Sequence, residues 1–184
     1  MVERAADEGS TPDLVRVVEP LIPGLRRYAT ALVRDATTAD DLVQDCLERV
    51  VRGWNRRRDD AAVTAWVFTI LRNIALNHLR QLRSRGQQVE VEAADAAPSL
   101  VTAADDGHLD RRDILRALDR LPEEQKSVLL LVSVEDRTYT EVAQILDIPI
   151  GTVMSRLSRG RERLRRVMQE EVDLATTGSI RRIK

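Results

Sequence analysis

Apolar residues recur at three- and four-residue spacing along most of this chain, and no convincing strand pattern or internal repeat interrupts them. From Pro12 to about Arg34, Leu14, Val17, Val18, Leu21, Leu25, Tyr28, Ala29 and Leu32 share a helical face. Pro20 and Pro23 should interrupt or kink that helix. A second helix is expected from Thr37 or Thr38, with Asp40 and Asp41 in its first turn, to about Trp54. Arg56 to Asp60 reads as a polar loop. A third helix spans roughly Ala62 to Arg83, with an inner stripe of Val63, Trp66, Val67, Ile70, Leu71, Ile74 and His78. Periodicity is lost between Gly86 and Gly107, where Glu90, Glu92, Asp95, Asp105 and Asp106 mark an acidic linker. Helices resume from Leu109 to Arg120 and from Pro122 to about Val134. Residues 1–11 and the last dozen are expected to fray. The pattern predicts an all-α protein of two small helical domains, 12–85 and 109–170, joined by a flexible acidic linker at 86–108.

The stretch from Thr138 to Arg161 carries the most specific pattern. It reads as a helix, a tight turn at Asp147 to Pro149 and a second helix, the plan of a DNA-reading helix-turn-helix. Thr138 or Thr140 can cap the first helix, with Glu141 in its first turn. Val142, Ala143 and Leu146 form its inner stripe, and Thr152 is a candidate cap for the second helix. Val153, Leu157, Gly160 and Leu164 should face inward. Thr152, Ser155, Arg156, Arg159, Arg163 and Arg166 are left for the opposite side. Arginine there can pair with guanine edges or grip phosphates, although an arginine-rich face can equally be plain solvated surface.

Two further faces stand out. Between Asp40 and Arg52, Val43, Cys46, Leu47, Val50 and Val51 should face inward, leaving Asp41, Gln44, Asp45, Glu48 and Arg52 outside. On the third helix, Thr69, Asn73, Asn77 and Arg80 line one face. Exposed asparagines weaken a helix, and their amides can read base edges.

Composition narrows the function. The 184 residues are 32% charged and 3% aromatic, as suits a helical protein with thin cores, and the net charge is −1. Nucleic-acid binding would therefore need local basic faces offset by acidic ones. Cys46 is the only cysteine, so an internal disulfide or thiolate metal cluster is excluded, and its spacing places it in the core. His78 and His108 have no metal-ligand spacing, and no cofactor or catalytic residue is expected. No apolar run approaches a membrane span of about 20 residues, and no signal peptide is recognisable, so a soluble cytoplasmic protein is expected.

Four segments in order resemble bacterial RNA polymerase sigma factors of the extracytoplasmic-function (ECF) group. They are Asp40 to Asp45 (DDLVQD), Ala65 to Asn73 (AWVFTILRN), Leu121 to Gln125 (LPEEQ) and Ile148 to Leu157 (IPIGTVMSRL). The resemblance covers about residues 12–85 and 109–168. It implies that Asp41, Gln44, Asp45 and Glu48 dock on core RNA polymerase. It implies that the Arg58–Thr64 loop and the face of Thr69, Asn73, Asn77 and Arg80 open the −10 element of promoter DNA. The second helix of the helix-turn-helix would read the −35 element through Thr152, Ser155, Ser158 and Arg159, with Arg156 and Arg161 on phosphates. It also implies an anti-sigma factor as a further partner. Asp147 stands where this family often has glycine, and Met154 and Ser158 differ from some relatives, so no promoter sequence carries over. A stand-alone helix-turn-helix regulator would leave the Asp41–Glu48 face without a role. A sigma-like decoy would not need the arginines of the second helix.

Overall fold

The computed structural model describes residues 10–56, 62–85 and 111–180. The described residues divide into two compact units, one of residues 10–85 with Gln144–Leu146 and the other of the remaining residues from 111 to 180, and among the described residues every regular element is helical. The proposed linker and most of the Arg58–Thr64 loop lie outside the described residues.

In the first unit, α1 (Ser10–Val18) ends in a single 3-10 turn (Glu19–Leu21) before α2 (Ile22–Val33). The break falls at Pro20 and Pro23, which lack the N–H that would continue the helical ladder. Arg34 closes α2 in the left-handed conformation, φ 65°, its N–H donating to Thr30 O at 2.8 Å. Asp35 then caps α3 (Ala36–Gly53), its carboxylate accepting from Thr38 N–H at 2.6 Å. The helix therefore starts before Thr37, contrary to the sequence expectation. The left-handed corner lets an aspartate, a strong N-cap, sit at its mouth. Asp40 and Asp41 fall beyond the first turn, and Asp40 pairs with Arg26 of α2 at 3.0 Å instead of serving the helix dipole.

α2, α3 and α4 (Val63–Ser84) pack on one another. Leu25, Tyr28, Ala29 and Leu32 meet Leu42, Val43, Cys46 and Val50, with Val67, Phe68, Leu71 and Ile74 from α4, all buried. Tyr28 and Phe68 stack edge to face, their ring centroids 5.8 Å apart. Phe68 therefore belongs to the core, whereas Trp66, Ile70 and His78, expected in the inner stripe, are half-buried. Trp66 instead covers Gly53, where an added Cβ would lie 3.1 Å from its ring. Cys46 is buried, its thiol donating to Val67 O at 3.6 Å, and burial pushes its pKa up to about 12, so it is an inert core thiol.

In the second unit, α5 (Arg111–Asp119) and α6 (Glu123–Ser133) pack against α8 (Ile150–Ile180). Pro122 sits at the N-cap of α6, and Lys126, nearly buried, pairs with Asp119 at 3.0 Å. α8 runs 31 residues, well into the tail expected to fray. Among the described residues, no helix is long and apolar enough to cross a membrane.

Hydrogen bonds from the Thr38 side chain and backbone hold the Asp35 carboxyl below its ordinary value of 3.8. A depressed folded-state pKa means its stabilisation is present above 3.8 and is lost as pH falls through the lower folded value. Asp35→Ala should cost about 1 kcal/mol near neutral pH. Urea denaturation of both proteins checks this, and the difference should shrink when the titration is repeated in acid.

Candidate functional site

The helix-turn-helix is built by two local devices. Thr138 and Glu141 form a reciprocal capping box at the start of α7 (Tyr139–Leu146). Thr138 N–H donates to Glu141 Oε2 at 2.8 Å, and Glu141 N–H donates back to Thr138 Oγ1 at 3.3 Å. Thr138, not Thr140, is thus the cap. Burial pushes the Glu141 carboxyl upward, but the Thr138 hydrogen bonds and the charge of Arg137, 3.3 Å away, outweigh it and leave the pKa lowered. At the other end Asp147 adopts φ 52°, and Ile148 N–H donates to Ala143 O at 3.1 Å, closing a Schellman turn. Aspartate here does what glycine would do in the left-handed position. Pro149 O accepts the first helical bonds, from Thr152 and Val153 N–H, so α8 starts at Ile150. Thr152 is consequently inside the first turn and is not the cap.

The inward row of α8 is Val153, Leu157, Gly160 and Val167, all buried, with Leu164 half-buried. Ser158, Arg159 and Arg161 are exposed, and Thr152 and Ser155 are half-buried. Ser155 spends its hydroxyl on Thr152 O at 3.1 Å. Arg156 is not on the open side as expected. Its side chain is 26% exposed and paired with Glu124 of α6. At about 100° per residue, Arg156 lies next to the inward row, and a carboxylate waits there. Sequence reasoning also passed over an apolar element of this surface. Tyr139, Met154 and Leu157 line a groove of about 310 Å³ with Ser158, Arg161 and Arg165.

On α3, Asp41, Gln44, Asp45 and Glu48 are all exposed. Glu48 pairs with Arg52 at 2.9 Å, whereas Asp41 and Asp45 have no ionic partner among the described residues. Val51, expected inside with Val50, is 59% exposed and continues the line of Gln44 and Glu48. Two adjacent valines both fit an apolar stripe, and only Val50 meets the core. On α4, Asn73, Asn77 and Arg80 share an exposed side, Arg80 donating to Asn77 Oδ1 at 2.9 Å. Thr69 is less available, its hydroxyl donating to Ala65 O at 2.8 Å. Among the described residues, no group of three or more His, Cys, Asp or Glu side chains is placed to hold a metal ion.

The ECF RNA polymerase sigma factor EcfG of Rhodopseudomonas palustris is 35% identical over 146 residues, 78% of this chain and 78% of that protein. The chain belongs to the ECF RNA polymerase sigma factors. It is a promoter-specificity subunit, which binds core RNA polymerase and directs transcription initiation. The family model for Sigma-70, region 4 matches residues 111–164 of this sigma factor, and that for the sigma2 domain of PhyR matches residues 18–72. SigM of Mycobacterium tuberculosis is 32% identical, covering 78% of this chain and 71% of that protein. Among solved structures, the sigma factor RpoE of Bartonella quintana, crystallised with the anti-sigma factor NepR, matches with a TM-score of 0.66. It is 31% identical and covers 85% of this chain and 97% of that one. CnrH, solved with the cytosolic domain of CnrY, has a TM-score of 0.65 at 18% identity over 88% of this chain and 91% of that one, a likeness of fold alone.

Proposed function

We propose that this sigma factor divides its work among three surfaces: polymerase docking on α3, opening of the −10 element on α4 and reading of the −35 element on α8. The observation supporting this most directly is that Asp45, Asn73 and Arg159, one from each set, are all exposed and none is consumed by packing. The first domain, 12–85, would hold the docking and opening surfaces, the second, 109–170, the reader, and 86–108 the tether. The protein would carry no catalytic site of its own and act in the cytoplasm, where the polymerase works.

On α3, Asp41, Gln44, Asp45 and Glu48 form an acidic docking face, with exposed Val51 adding an apolar contact at its edge. On α4, Asn73, Asn77 and Arg80 take unstacked −10 bases, and Thr69 supports the helix beneath them through its bond to Ala65. On α8, Ser158 and Arg159 face base edges, with Thr152 and Ser155 at the rim. Arg161 takes a phosphate. Arg156 takes a weaker one, because Glu124 already balances much of its charge.

Control by an anti-sigma factor completes the reading. The solved relative RpoE forms a complex with the anti-sigma factor NepR. With inert Cys46 as the only cysteine, signal sensing would lie in such a partner and not in this chain.

Reversing Asp45 and Glu48 to arginine should abolish association with core polymerase with helicity unchanged. Co-purification with the core enzyme measures this, and undiminished recovery would sink the docking assignment. Asn73→Ala should slow promoter opening while −35 binding is retained. Permanganate reactivity of the −10 thymines reads it, and normal opening refutes it. Arg159→Ala should cost roughly 1–3 kcal/mol on the preferred site and relax discrimination at one position. Arg161→Ala should weaken all sequences alike and lower the salt slope by about 1. Identical behaviour of the two variants in a binding selection would overturn the division between base and phosphate contacts.

A further inference from the structure

Five large hydrophobic side chains are exposed among the described residues, and three of them, Tyr139, Ile150 and Met154, belong to the helix-turn-helix. A single exposed apolar side chain is ordinary on a soluble protein. These three are placed together. Ile150 and Met154 are one helical turn apart on α8, 45% and 48% exposed, and Met154 shares its groove with Tyr139.

The position of Met154 on the helix matters more than its exposure. With Val153, Leu157 and Gly160 turned inward, the open side of α8 runs from Met154 through Ser158 and Ser155 to Arg159 at helical spacing. The residues of that strip offer different chemistry. Arg159 is a cation suited to guanine, Ser155 bonds to its own helix, and Ser158 can donate or accept and so discriminates weakly. Met154 alone among them is apolar. In the major groove the base edges carry one apolar feature, the 5-methyl group of thymine. A thioether on an unbranched, polarizable side chain adapts readily to such a surface.

We propose that Met154 is a specificity-determining residue of this sigma factor, its side chain packing on a thymine methyl in the −35 element beside the base read by Arg159. Ile150 extends the apolar contact along the helix, while Arg161 and Arg165, at the Tyr139 groove, hold the neighbouring phosphates. Neither arginine has a carboxylate partner among the described residues. This assignment rests on the reading that α8 reads the −35 element.

Removing the methyl without removing the base tests it. Holoenzyme reconstituted from the full chain first selects promoters from a library randomised in the −35 element. Each selected thymine is then replaced in turn by deoxyuridine. The wild-type holoenzyme should lose about four-fold in affinity at one thymine, the value for burying one methyl-sized group. Met154→Ala should be weaker on the parent site and indifferent to deoxyuridine at that position, while Met154→Leu should retain the sensitivity. If no deoxyuridine weakens wild-type binding, or Met154→Ala stays equally sensitive, the proposal is overturned. If Arg159→Ala and a scrambled −35 element also leave affinity unchanged, the reading of α8 falls with it. If those two changes still weaken binding, only the role of Met154 is lost.

Discussion

Burial of the apolar row of α8, Val153, Leu157, Gly160 and Val167, sets the rotation of the long helix, and with it everything α8 presents to solvent. A Cβ at Gly160 would lie 3.5 Å from both Cβ and O of Gln125 and 3.6 Å from Leu129 Cδ1, ordinary van der Waals contact, so α8 lies against the Gln125 and Leu129 side chains of α6 there. Val153 and Leu157 flank the seam and are buried. Each stabilises by about 1.5–3 kcal/mol. The Arg156–Glu124 pair, partly exposed, contributes at most about 1 kcal/mol. The apolar row therefore decides which way α8 faces, and the ion pair only sharpens its register. A small rotation would exchange Arg156 for Met154 on the open side and present a different surface to a base pair.

A net charge of −1 conceals a separation of charge. Among the described residues, Asp41 and Asp45 have no ionic partner on α3, and Arg159, Arg161 and Arg165 have no carboxylate partner on α8. Like charges on one face repel, so neither arrangement favours folding. Each makes sense where a large partner of opposite charge supplies the missing counter-charge, and each accelerates the encounter at moderate salt. Surface charge optimised for stability alone would have interleaved the two signs.

Much of this was readable from the chain. The helical class, the break at Pro20 and Pro23, the Thr138–Glu141 start signal and the left-handed tolerance of Asp147 follow from local chemistry, and local chemistry is what a sequence displays. The misplacements were of two kinds. Asp35 and Pro149 mark helix starts two or three residues ahead of the threonines expected to do so. The corner that makes Asp35 a cap depends on Arg34 adopting positive φ, which arginine does not advertise. Rotational errors were the other kind. Val51, Trp66 and Arg156 each sit at the edge of an apolar stripe, and only the identity of the neighbour — none for Val51, Gly53 for Trp66, Glu124 for Arg156 — decides their side. Whether the proposed site residues do what the family resemblance implies is a matter of partners, and no isolated chain displays those.

Exposure of the recognition surface carries an evolutionary consequence. Ser158 and Met154 contribute little to the cores that hold α7 and α8 together, because the buried row lies on the other side of the helix. Substitution there would change what α8 presents to solvent at small cost in stability, since surface changes away from caps and cores fall within about 0.5 kcal/mol. Thr138 and Asp147 are constrained in the opposite way: the capping box and the left-handed turn they form fix where the helices start and stop. The framework of such a helix pair can therefore hold still while the outward side chains of α8 change.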